Sequence, residues 1–549
     1  MNITLNNRAI TYDVGDSFLD IVNRTYPSDA RRILGIRMGG KTLPLSARPQ
    51  EGYDVTTLDY GSEEGFRIYE RSLRFVFLLA MHQLYPDKHV RIENSTSSGL
   101  LARLVDAKMD EHMVEMIEQR MRDIVLQDLP FTKRVISRNE AIKLFDAQGY
   151  DDKVKLLKYR PFDHFQLYSL DGLLEYFYGE MAPSTGYVSV FKLNLYLPGL
   201  EILLPDPKDP SVPAPHEDHP QLLRTFAESQ RWGTILGCAN AADLNGMVAK
   251  RTLREFIRVN EALHEKSISG IADKFVSSGA QLILVAGPSS SGKTTFTHRL
   301  SILLRVQGLK PMKLSLDDYY IDRDKIPLDE NGELDLERLD TLDVKLFNEH
   351  LVKLLQGEPI DAPIFDFLTG TRLQKTHRMQ LEPGQPVLVE GIHGLNPALT
   401  MQVPREQKFM IYISALTTLN LDDHNRIRTT DVRLLRRLVR DHQFRGTHPE
   451  ETMSMWNSVR RGEQEYIFPH QERADVMFNS TLVYELAILK KYAYPLLLNI
   501  KEDSPFYTRA RRLVKFLNYI MTAEVEDEIP LNSILREFVG GCTFYREED

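Results

Sequence analysis

The segment from Gly287 to Thr295 limits the fold of this chain more than any other stretch. It reads GPSSSGKTT, which has the spacing G-x-x-x-x-G-K-T. Residues 281–286 (QLILVA) form a short apolar run typical of a strand buried in a parallel sheet, and residues 295–307 have helical periodicity. The order strand, glycine loop, helix predicts an α/β fold with a phosphate-binding loop at one edge of the sheet.

All residues of this loop are candidate nucleotide-binding residues. Its glycines let backbone N–H groups surround phosphate oxygens, its lysine reaches the β- and γ-phosphates, and a threonine hydroxyl ligates Mg²⁺. A flexible Gly/Ser turn is the alternative, and the flanking strand and helix count against it. We predict a nucleoside triphosphate and Mg²⁺ as cofactors, with Lys293 in catalysis and Thr294 on the metal. The nucleotide-binding set is Gly287, Pro288, Ser289, Ser290, Ser291, Gly292, Lys293, Thr294 and Thr295.

Length and charge narrow the class of protein. A chain of 549 residues suggests about three or four domains. The formal net charge of −9 argues against a general DNA-binding protein, although a local basic patch could hold RNA or a phosphorylated ligand.

The cysteines and apolar runs bear on the compartment. Cys238 and Cys542 are far apart and match no zinc or redox spacing, which indicates unpaired thiols in a reducing environment. The N-terminus lacks the features of a signal peptide, and the longest apolar run, Phe75–Met81, is too short to cross a bilayer. We expect a cytoplasmic protein that has no membrane partner.

Residues 1–60 have the pattern of a small β-grasp domain. Two alternating strands, MNITL and AITYDV, are joined across Asn6-Asn7, and the helical stretch SFLDIVNRTY follows. A second pair of strands is predicted around ILGIRMGGKTLPL and DVTTLDY.

Residues 61–205 contain two distinctive stretches, EEGFRIYERSLRFVFLLAMHQLYPDKHVRIENSTSSGL and EYFYGEMAPSTGYVSVFKLNLYLPG. They resemble the α+β editing module of threonyl-tRNA synthetases, and residues 1–60 then resemble the β-grasp (TGS) domain of that family. The resemblance places the family's metal ligands at Arg71, Phe75, Phe177 and Met181. Phenyl rings and a thioether cannot replace the histidine and cysteine ligands of a metal, and they suggest that the pocket is filled by apolar side chains. We therefore expect this region to have the fold of the editing module without its deacylase activity. RNA or tRNA binding and a structural or oligomerisation role both stay open.

Residues 206–280 are predicted to connect this region to the next domain. The stretch DPKDPSVPAPHEDHP is too rich in proline for regular structure, and we expect a solvated linker. Its His216 and His219 do not have the H-E-x-x-H spacing of a zinc site. Helical patterns from Gln221 to Val276 are expected to pack against the domain that follows.

Within residues 281–549, two further apolar runs end in carboxylates. PMKLSL leads into Asp317-Asp318, and PVLVE ends at Glu390. Active groups collect at the carboxyl ends of strands in an open parallel sheet, so both lie at the edge that carries the loop. A carboxylate there could take a proton from an attacking hydroxyl or hold Mg²⁺. The alternative is an aspartate that only caps a helix or turn.

The segment DVRLLRRLVRD predicts a helix with a row of arginines on one face. Arg433, Arg436, Arg437 and Arg440 have the spacing i, i+3, i+4 and i+7, and Arg445 is expected in the loop that follows. Such a row is commonly a solvated face, but these arginines have no interleaved acids and would repel one another without an anion. We predict a lid over a triphosphate.

The blocks LSLDDYY, PIFDFLTGTR, VLVEGIHGL, RRLVRDHQFRG and ERADVMFNS follow the glycine loop in order. With it they resemble the uridine kinase and phosphoribulokinase family over about residues 281–500. The resemblance implies a P-loop kinase that moves the γ-phosphoryl of ATP or GTP to a primary hydroxyl. It assigns Asp317 as the base, Glu390 to Mg²⁺, and Arg437, Arg440 and Arg445 to the lid.

The resemblance is weaker in the acceptor pocket. It places Glu337 at the ribose and Phe365 against the base, with Arg437 beside the substrate, whereas the positions that bind the pyrimidine fall on Gly370, Thr447 and Met455. Loss of groups that pair a substrate's polar atoms changes specificity. We therefore expect a nucleoside kinase with an altered base pocket, or a kinase of a sugar that has no pyrimidine.

A different class of function is also open. The chain could be a regulatory protein that binds RNA or tRNA through its N-terminal units. In that case nucleotide binding at the glycine loop would switch RNA binding on or off. In either case we expect a homo-oligomer, although the sequence does not say of what size.

Overall fold

The computed structural model describes residues 1–326, 337–366 and 369–545. Residues 2–58 form a mixed five-stranded sheet with strand order β2-β1-β5-β3-β4, packed against one helix. The predicted hairpin across Asn6-Asn7 is confirmed, since both residues have positive φ, as a tight two-residue turn requires. The elements are β1 (Asn2–Leu5), β2 (Arg8–Thr11), α1 (Phe18–Thr25), β3 (Gly35–Met38), β4 (Lys41–Leu43) and β5 (Asp54–Leu58).

Residues 63–203 form a second unit, built on a long buried helix and two antiparallel sheets with strand orders β11-β12-β7-β6 and β10-β9-β8. Its elements are α2 (Glu63–Leu84), β6 (Val90–Ser95), β7 (Gly99–Leu104), α3 (Glu111–Leu126), β8 (Thr132–Ser137), α4 (Arg138–Ala147), α5 (Asp151–Lys158), β9 (His164–Leu170), β10 (Leu173–Glu175), β11 (Lys192–Tyr196) and β12 (Gly199–Leu203).

The positions that the synthetase resemblance assigned to metal ligands lie together in this unit. The rings of Phe75 and Phe177 pack edge to face with centroids 5.3 Å apart, and Met181 belongs to the same buried cluster. Arg71 lies beside them and donates to the backbone oxygen of Glu180. Apolar core therefore fills the space between the two rings and Met181.

Residues 206–219 of the proline-rich segment have no helix or strand, as predicted, and most of them are exposed, but Ala214 and His219 are buried. His216 contacts the buried carboxylate of Glu201 at 2.6 Å, and His219 is buried against Ser97. The helices α6 (Pro220–Ile235), α7 (Ala241–Ala249) and α8 (Leu253–Ser278) follow. The expected packing of this region on the next domain is confirmed, since Glu265 of α8 pairs with Arg299 beyond the glycine loop at 2.6 Å.

The remaining residues form a five-stranded, all-parallel sheet of strand order β14-β19-β13-β20-β23 with helices around it. Every residue of its central strand is buried, as the apolar run predicted. The elements are β13 (Leu282–Ala286), α9 (Lys293–Val306), β14 (Met312–Ser315), α10 (Val344–Leu355), β15 (Ile360–Ala362), β16 (Phe365–Asp366), β17 (Thr371–Arg372), β18 (His377–Met379), β19 (Val387–Glu390), β20 (Lys408–Ser414), β21 (Asn420–Asp422), β22 (Asn425–Arg426), α11 (Thr429–Arg445), α12 (Pro449–Gly462), β23 (Val476–Asn479), α13 (Glu485–Leu498), α14 (Tyr507–Leu517) and α15 (Arg536–Val539).

Buried ion pairs join the second unit to the parallel-sheet region. Lys153 of α5 is fully buried and pairs with Asp422 of β21 at 2.8 Å, and Glu70 of α2 pairs with Arg428 just before α11. Across the described ranges, no helix is both long and apolar enough to span a membrane. Both cysteines are buried free thiols, as their spacing predicted.

Candidate functional site

The glycine loop joins β13 to α9 in the predicted order. A side chain on Gly287 would meet the backbone oxygen of Ile413 on β20 at 2.0 Å, so the neighbouring strand requires glycine there. Gly292 has φ +84° and begins the turn into the helix. Ser290 also has positive φ, which costs free energy in a residue other than glycine and is common where a loop clamps a ligand.

Four chemically active side chains converge beside this loop at the carboxyl edge of the sheet. The Thr294 hydroxyl lies 3.4 Å from the Glu390 carboxylate at the end of β19. The Lys293 ammonium lies 3.3 Å from the backbone oxygen of Pro288 and interacts electrostatically with both Glu390 and Asp317. The parallel strands β13, β14 and β19 bring these residues together, as expected from their places at the strand ends.

The two carboxylates are harder to ionise than free ones. Burial removes water from the Glu390 carboxylate and raises its pKa to about 6. The positive charge of Lys293 opposes this rise, and the negative charge of Asp317 adds to it. Asp317 lies in a crowded cleft but stays open to solvent. Its pKa is raised by desolvation and by Asp318, while Lys293 and Arg445 act against the rise. Close like charges of this kind are typical of sites that act on protons or bind cations.

The arginine row of α11 differs from its prediction in two ways. Arg445 is the last residue of the helix and not part of a loop. Arg433 and Arg436 have protein counter-ions, because Glu463 binds the first and Glu485 binds the second at 2.6 Å, all fully buried. The charge of these two arginines is therefore neutralised by the fold and needs no ligand.

Arg433 and Arg436 also hold the glycine loop in place. Arg433 donates to the backbone oxygen of Ser289 at 3.0 Å, and Arg436 donates to that of Ser290 at 3.3 Å. Glu463 accepts the backbone N–H of Ser289 at 3.2 Å. The first half of α11 is thus a support for the loop.

The other three arginines share one acid. Arg437 contacts Asp441 at 3.1 Å, Arg440 at 2.9 Å and Arg445 at 3.5 Å. Arg437 also donates to the hydroxyl of Ser289 at 3.0 Å, which places its guanidinium on the loop. These three guanidinium groups contact a single carboxylate, and Glu337 and Glu537 also act electrostatically on Arg437 and Arg445. A lid over a triphosphate requires guanidinium groups gathered in this way beside the loop.

The predicted acceptor residues lie around Tyr320, after the end of β14. The rings of Phe365 and Tyr320 are 5.6 Å apart, and Glu337 interacts electrostatically with both Tyr320 and Arg437. The side chain of Arg323 covers Gly370, so that a Cβ at that position would come within 2.5 Å of it. The Arg323 side chain therefore occupies the space that a side chain at position 370 would need.

Some residues of the site were missed in the sequence. Asp441 lies within the predicted arginine helix, and its position at i+4 from Arg437 could have identified it. Glu463, Glu485 and Glu537 come from distant segments with no motif around them. Glu537 of α15 accepts the Thr295 hydroxyl at 2.7 Å, so a C-terminal segment reaches the glycine loop.

The oxygen donors at the loop suit Mg²⁺. A threonine hydroxyl and a carboxylate are hard ligands of the type that Mg²⁺ prefers, and Mg²⁺ takes its remaining ligands from phosphates and water. Within the described part of the chain there is no cluster of three or more His, Cys, Asp or Glu side chains that would hold a metal on its own. Thr294 and Glu390 therefore fit a metal that arrives with a nucleotide.

Comparisons with known proteins agree with this geometry. Residues 282–487 match the phosphoribulokinase / uridine kinase family. A uridine kinase of Anoxybacillus flavithermus is 32% identical over 200 residues, which are 36% of this chain and 84% of that protein. A uridine kinase of Staphylococcus epidermidis is 29% identical over 197 residues, 36% of this chain and 86% of that protein.

Among solved structures, that of a possible uridine kinase from Bacillus stearothermophilus aligns with a TM-score of 0.27 and 19% identity, covering 38% of this chain and 96% of the other. The D-glycerate 3-kinase of Cryptococcus neoformans aligns with a TM-score of 0.20 and 15% identity over 51% of this chain and 89% of the other. With the glycine loop, its carboxylates and the sequence match all in residues 282–487, the chain belongs to the phosphoribulokinase / uridine kinase family.

Proposed function

We propose that this protein transfers the γ-phosphoryl group of ATP or GTP to the primary hydroxyl of a nucleoside. The convergence of Lys293, Thr294, Asp317 and Glu390 at one edge of the parallel sheet carries the proposal. Family membership supports phosphotransfer, and the names of the relatives support a nucleoside acceptor.

Asp317 is the general base. Its carboxylate takes the proton of the acceptor hydroxyl, the hydroxyl oxygen bonds to the γ-phosphorus, and the bond between that phosphorus and its bridging oxygen breaks. The products are the phosphorylated acceptor and the nucleoside diphosphate. The raised pKa of Asp317 suits it to accept a proton, provided that the pH keeps it ionised before the reaction.

The remaining residues hold the triphosphate and its charge. Thr294 and Glu390 would hold Mg²⁺, which supplies neutralisation of phosphate charge when bound. Lys293 and the loop amides bind phosphate oxygens, and Arg437, Arg440 and Arg445 stabilise the charge that spreads over the transferred group. Positioning and electrostatics account for the rate enhancement in this scheme.

The acceptor pocket supports a second candidate, a sugar without a pyrimidine. Arg323 covers Gly370, which aligns with the histidine that binds the base in uridine kinases, and Phe365 stands where those enzymes have tyrosine. Uridine would lose polar partners in such a pocket, and loss of one buried partner can reduce discrimination by orders of magnitude.

The test is a coupled assay of ADP release with MgATP and a panel of nucleosides and sugars. Acceptor-dependent release by the native chain, and none by Lys293→Ala at equal thermal stability, is the expected result. Release without dependence on any acceptor would reject the kinase proposal. Tight tRNA binding in its absence would favour the regulatory alternative.

A further inference from the structure

A second cavity lies between the N-terminal units and helix α14, and it shares no lining residue with the kinase site. Its volume is about 350 Å³, within the usual range of small-molecule sites. Strand β4, helix α2, residues 178–180 and helix α14 all contribute to its wall. Seven Lys and Arg side chains line it against three Glu, a formal excess of four positive charges.

Some of these cations are neutralised by protein acids. Arg67 binds Glu63 at 3.0 Å and Asp431 at 3.3 Å, and Arg509 also pairs with Glu63. Arg512 pairs with Asp431 at 2.5 Å. These contacts hold one side of the cavity together and need no ligand.

Three other cations line the cavity and form no ion pair within 4 Å of a carboxylate among the described residues. Glu180 acts electrostatically on two of them, Arg71 and Lys515, but it is itself paired with Lys133 at 3.1 Å. Arg71 donates only to the backbone oxygen of Glu180, and burial together with the nearby Arg74 lowers its pKa to about 10. Arg511 packs on the ring of Tyr507, and Lys515 follows it at i+4 on the same face of α14. Like charges gathered around a cavity without close ion-pair partners favour an anion within it.

The cavity wall also has an apolar part. The rings of Tyr178 and Tyr507 line it together with Ile68, Leu43 and Val514. Arginine forks bind phosphate oxygens in pairs, and aromatic side chains accept a planar group. An inorganic anion alone would use only the charged part of this wall.

We propose that this cavity is a binding site for a small phosphorylated molecule with a planar part, such as a nucleoside monophosphate. Arg71, Arg511 and Lys515 bind the phosphate, and the tyrosine rings contact the planar group. Through Arg67 and Arg512 the wall is connected to Asp431 in the first turn of α11, so the site and the arginine helix share one network of charges.

The test uses the full chain carrying Lys293→Ala, which weakens phosphate binding at the kinase site. Adenosine 5′-monophosphate and inorganic phosphate are titrated by calorimetry. The monophosphate is expected to bind saturably at one site and more tightly than phosphate. Lys515→Met, and separately Arg511→Met, should each weaken it about tenfold or more, since each removes a charged hydrogen bond. Lys515 is exposed and Arg511 is half-buried, so the substitutions should change the melting temperature little.

The control is Arg24→Met in the same background, because Arg24 is an exposed arginine that does not line the cavity and pairs with Asp16. Its affinity for the monophosphate should equal that of the parent. Absence of saturable binding would overturn the proposal. So would equal affinities in the parent and the Lys515→Met variant, which would place the binding at the kinase site, and so would equal binding of phosphate and the monophosphate.

Discussion

At the residue scale, two adjacent aspartates have different environments. Asp317 interacts with Lys293 and Arg445, which lie beside the glycine loop. Asp318 accepts the backbone N–H of Phe365 and so faces the acceptor side. The pair therefore offers a matched comparison between the carboxylate proposed as the base and a structural one.

Asp317→Asn should lower kcat about 10²- to 10⁴-fold with little change in KM, because the amide cannot take the hydroxyl proton. Asp318→Asn keeps an oxygen that can accept the N–H of Phe365 and should cost less than about tenfold. Steady-state kinetics of both variants checks the difference. Near-native turnover of Asp317→Asn would reject its role as base.

Glu390 should make nucleotide binding depend on pH. Its pKa is raised to about 6, so the carboxylate that would hold Mg²⁺ is ionised above that pH and becomes protonated below it. The affinity for MgATP should therefore fall as the pH drops through about 6. Measured from pH 5 to 8, Glu390→Gln should bind more weakly at high pH and lack this step, since the titration of ATP itself is common to both proteins. Parallel profiles would contradict the assignment.

At the element scale, helix α11 has two functions along its length. Its first half binds the backbone of the glycine loop through arginines whose charges are neutralised by buried glutamates. Its second half gathers three arginines around Asp441. The same residue type on the same face therefore supports the loop at one end and supplies positive charge at the other.

Arg433→Met and Arg440→Met should separate these functions. The Arg433 and Glu463 side chains are 1% and 0% exposed, and loss of the arginine leaves the buried acid with Arg460 at 2.8 Å as its remaining partner among the described residues. The change should therefore cost up to about 3–5 kcal/mol of stability. Arg440→Met should change stability by less than about 1 kcal/mol, because Asp441 keeps its other arginines. It should lower kcat about 10²- to 10³-fold instead.

Chemical denaturation and kinetics of both variants make the comparison. Adding Glu463→Met to Arg433→Met removes the buried acid that has lost its closest partner and should restore part of the lost stability. A stable Arg433→Met protein, or an Arg440→Met protein with native kcat, would contradict this division of α11.

At the scale of the whole molecule, buried charges connect the N-terminal units to the kinase region. Glu70 of α2 pairs with Arg428 and Arg426, and Lys153 pairs with Asp422. Glu537 of the C-terminal segment reaches Thr295 in the glycine loop. Removal of one member of such a pair is costly, so the units depend on one another for stability.

Glu70→Gln should show this dependence through pH. Burial raises the pKa of Glu70, but the four surrounding arginines hold it down to about 2. Because this is below the unfolded value, its contribution is complete above about pH 4.5 and is lost as the pH falls toward 2. The variant should be less stable than the native chain at pH 7, by an amount that shrinks between pH 4.5 and 2.

Urea denaturation at several pH values measures that difference. The control is Glu502→Gln, whose exposed carboxylate pairs with Lys41 on the surface and should change the midpoint little. A Glu70→Gln difference that stays constant down to pH 2 would contradict the role of this carboxylate.

Local sequence patterns were sufficient to predict an element wherever the residues of that element alone show its periodicity or turn residues. The Asn6-Asn7 hairpin, the buried strand before Gly287 and the helix after it were predicted with bounds within a few residues of those observed. Arg445 was wrongly assigned to a loop, because the periodic pattern of the helix does not fix the residue at which the helix ends. The exposure of His219 was predicted wrongly, since proline content indicates irregular backbone and not solvent contact.

The sequence by itself determined the glycine loop, the strand that precedes Asp317, the strand that ends at Glu390, and the helix of arginines, because spacing and periodicity are local properties. Only the tertiary structure decided which arginines are free to meet a ligand. Glu463 and Glu485 each neutralise one arginine of the first half of α11, whereas the arginines of its second half share Asp441. The two glutamates come from segments distant in the chain. The charge at a point in space depends on every group that folding brings near it, and no local pattern records that.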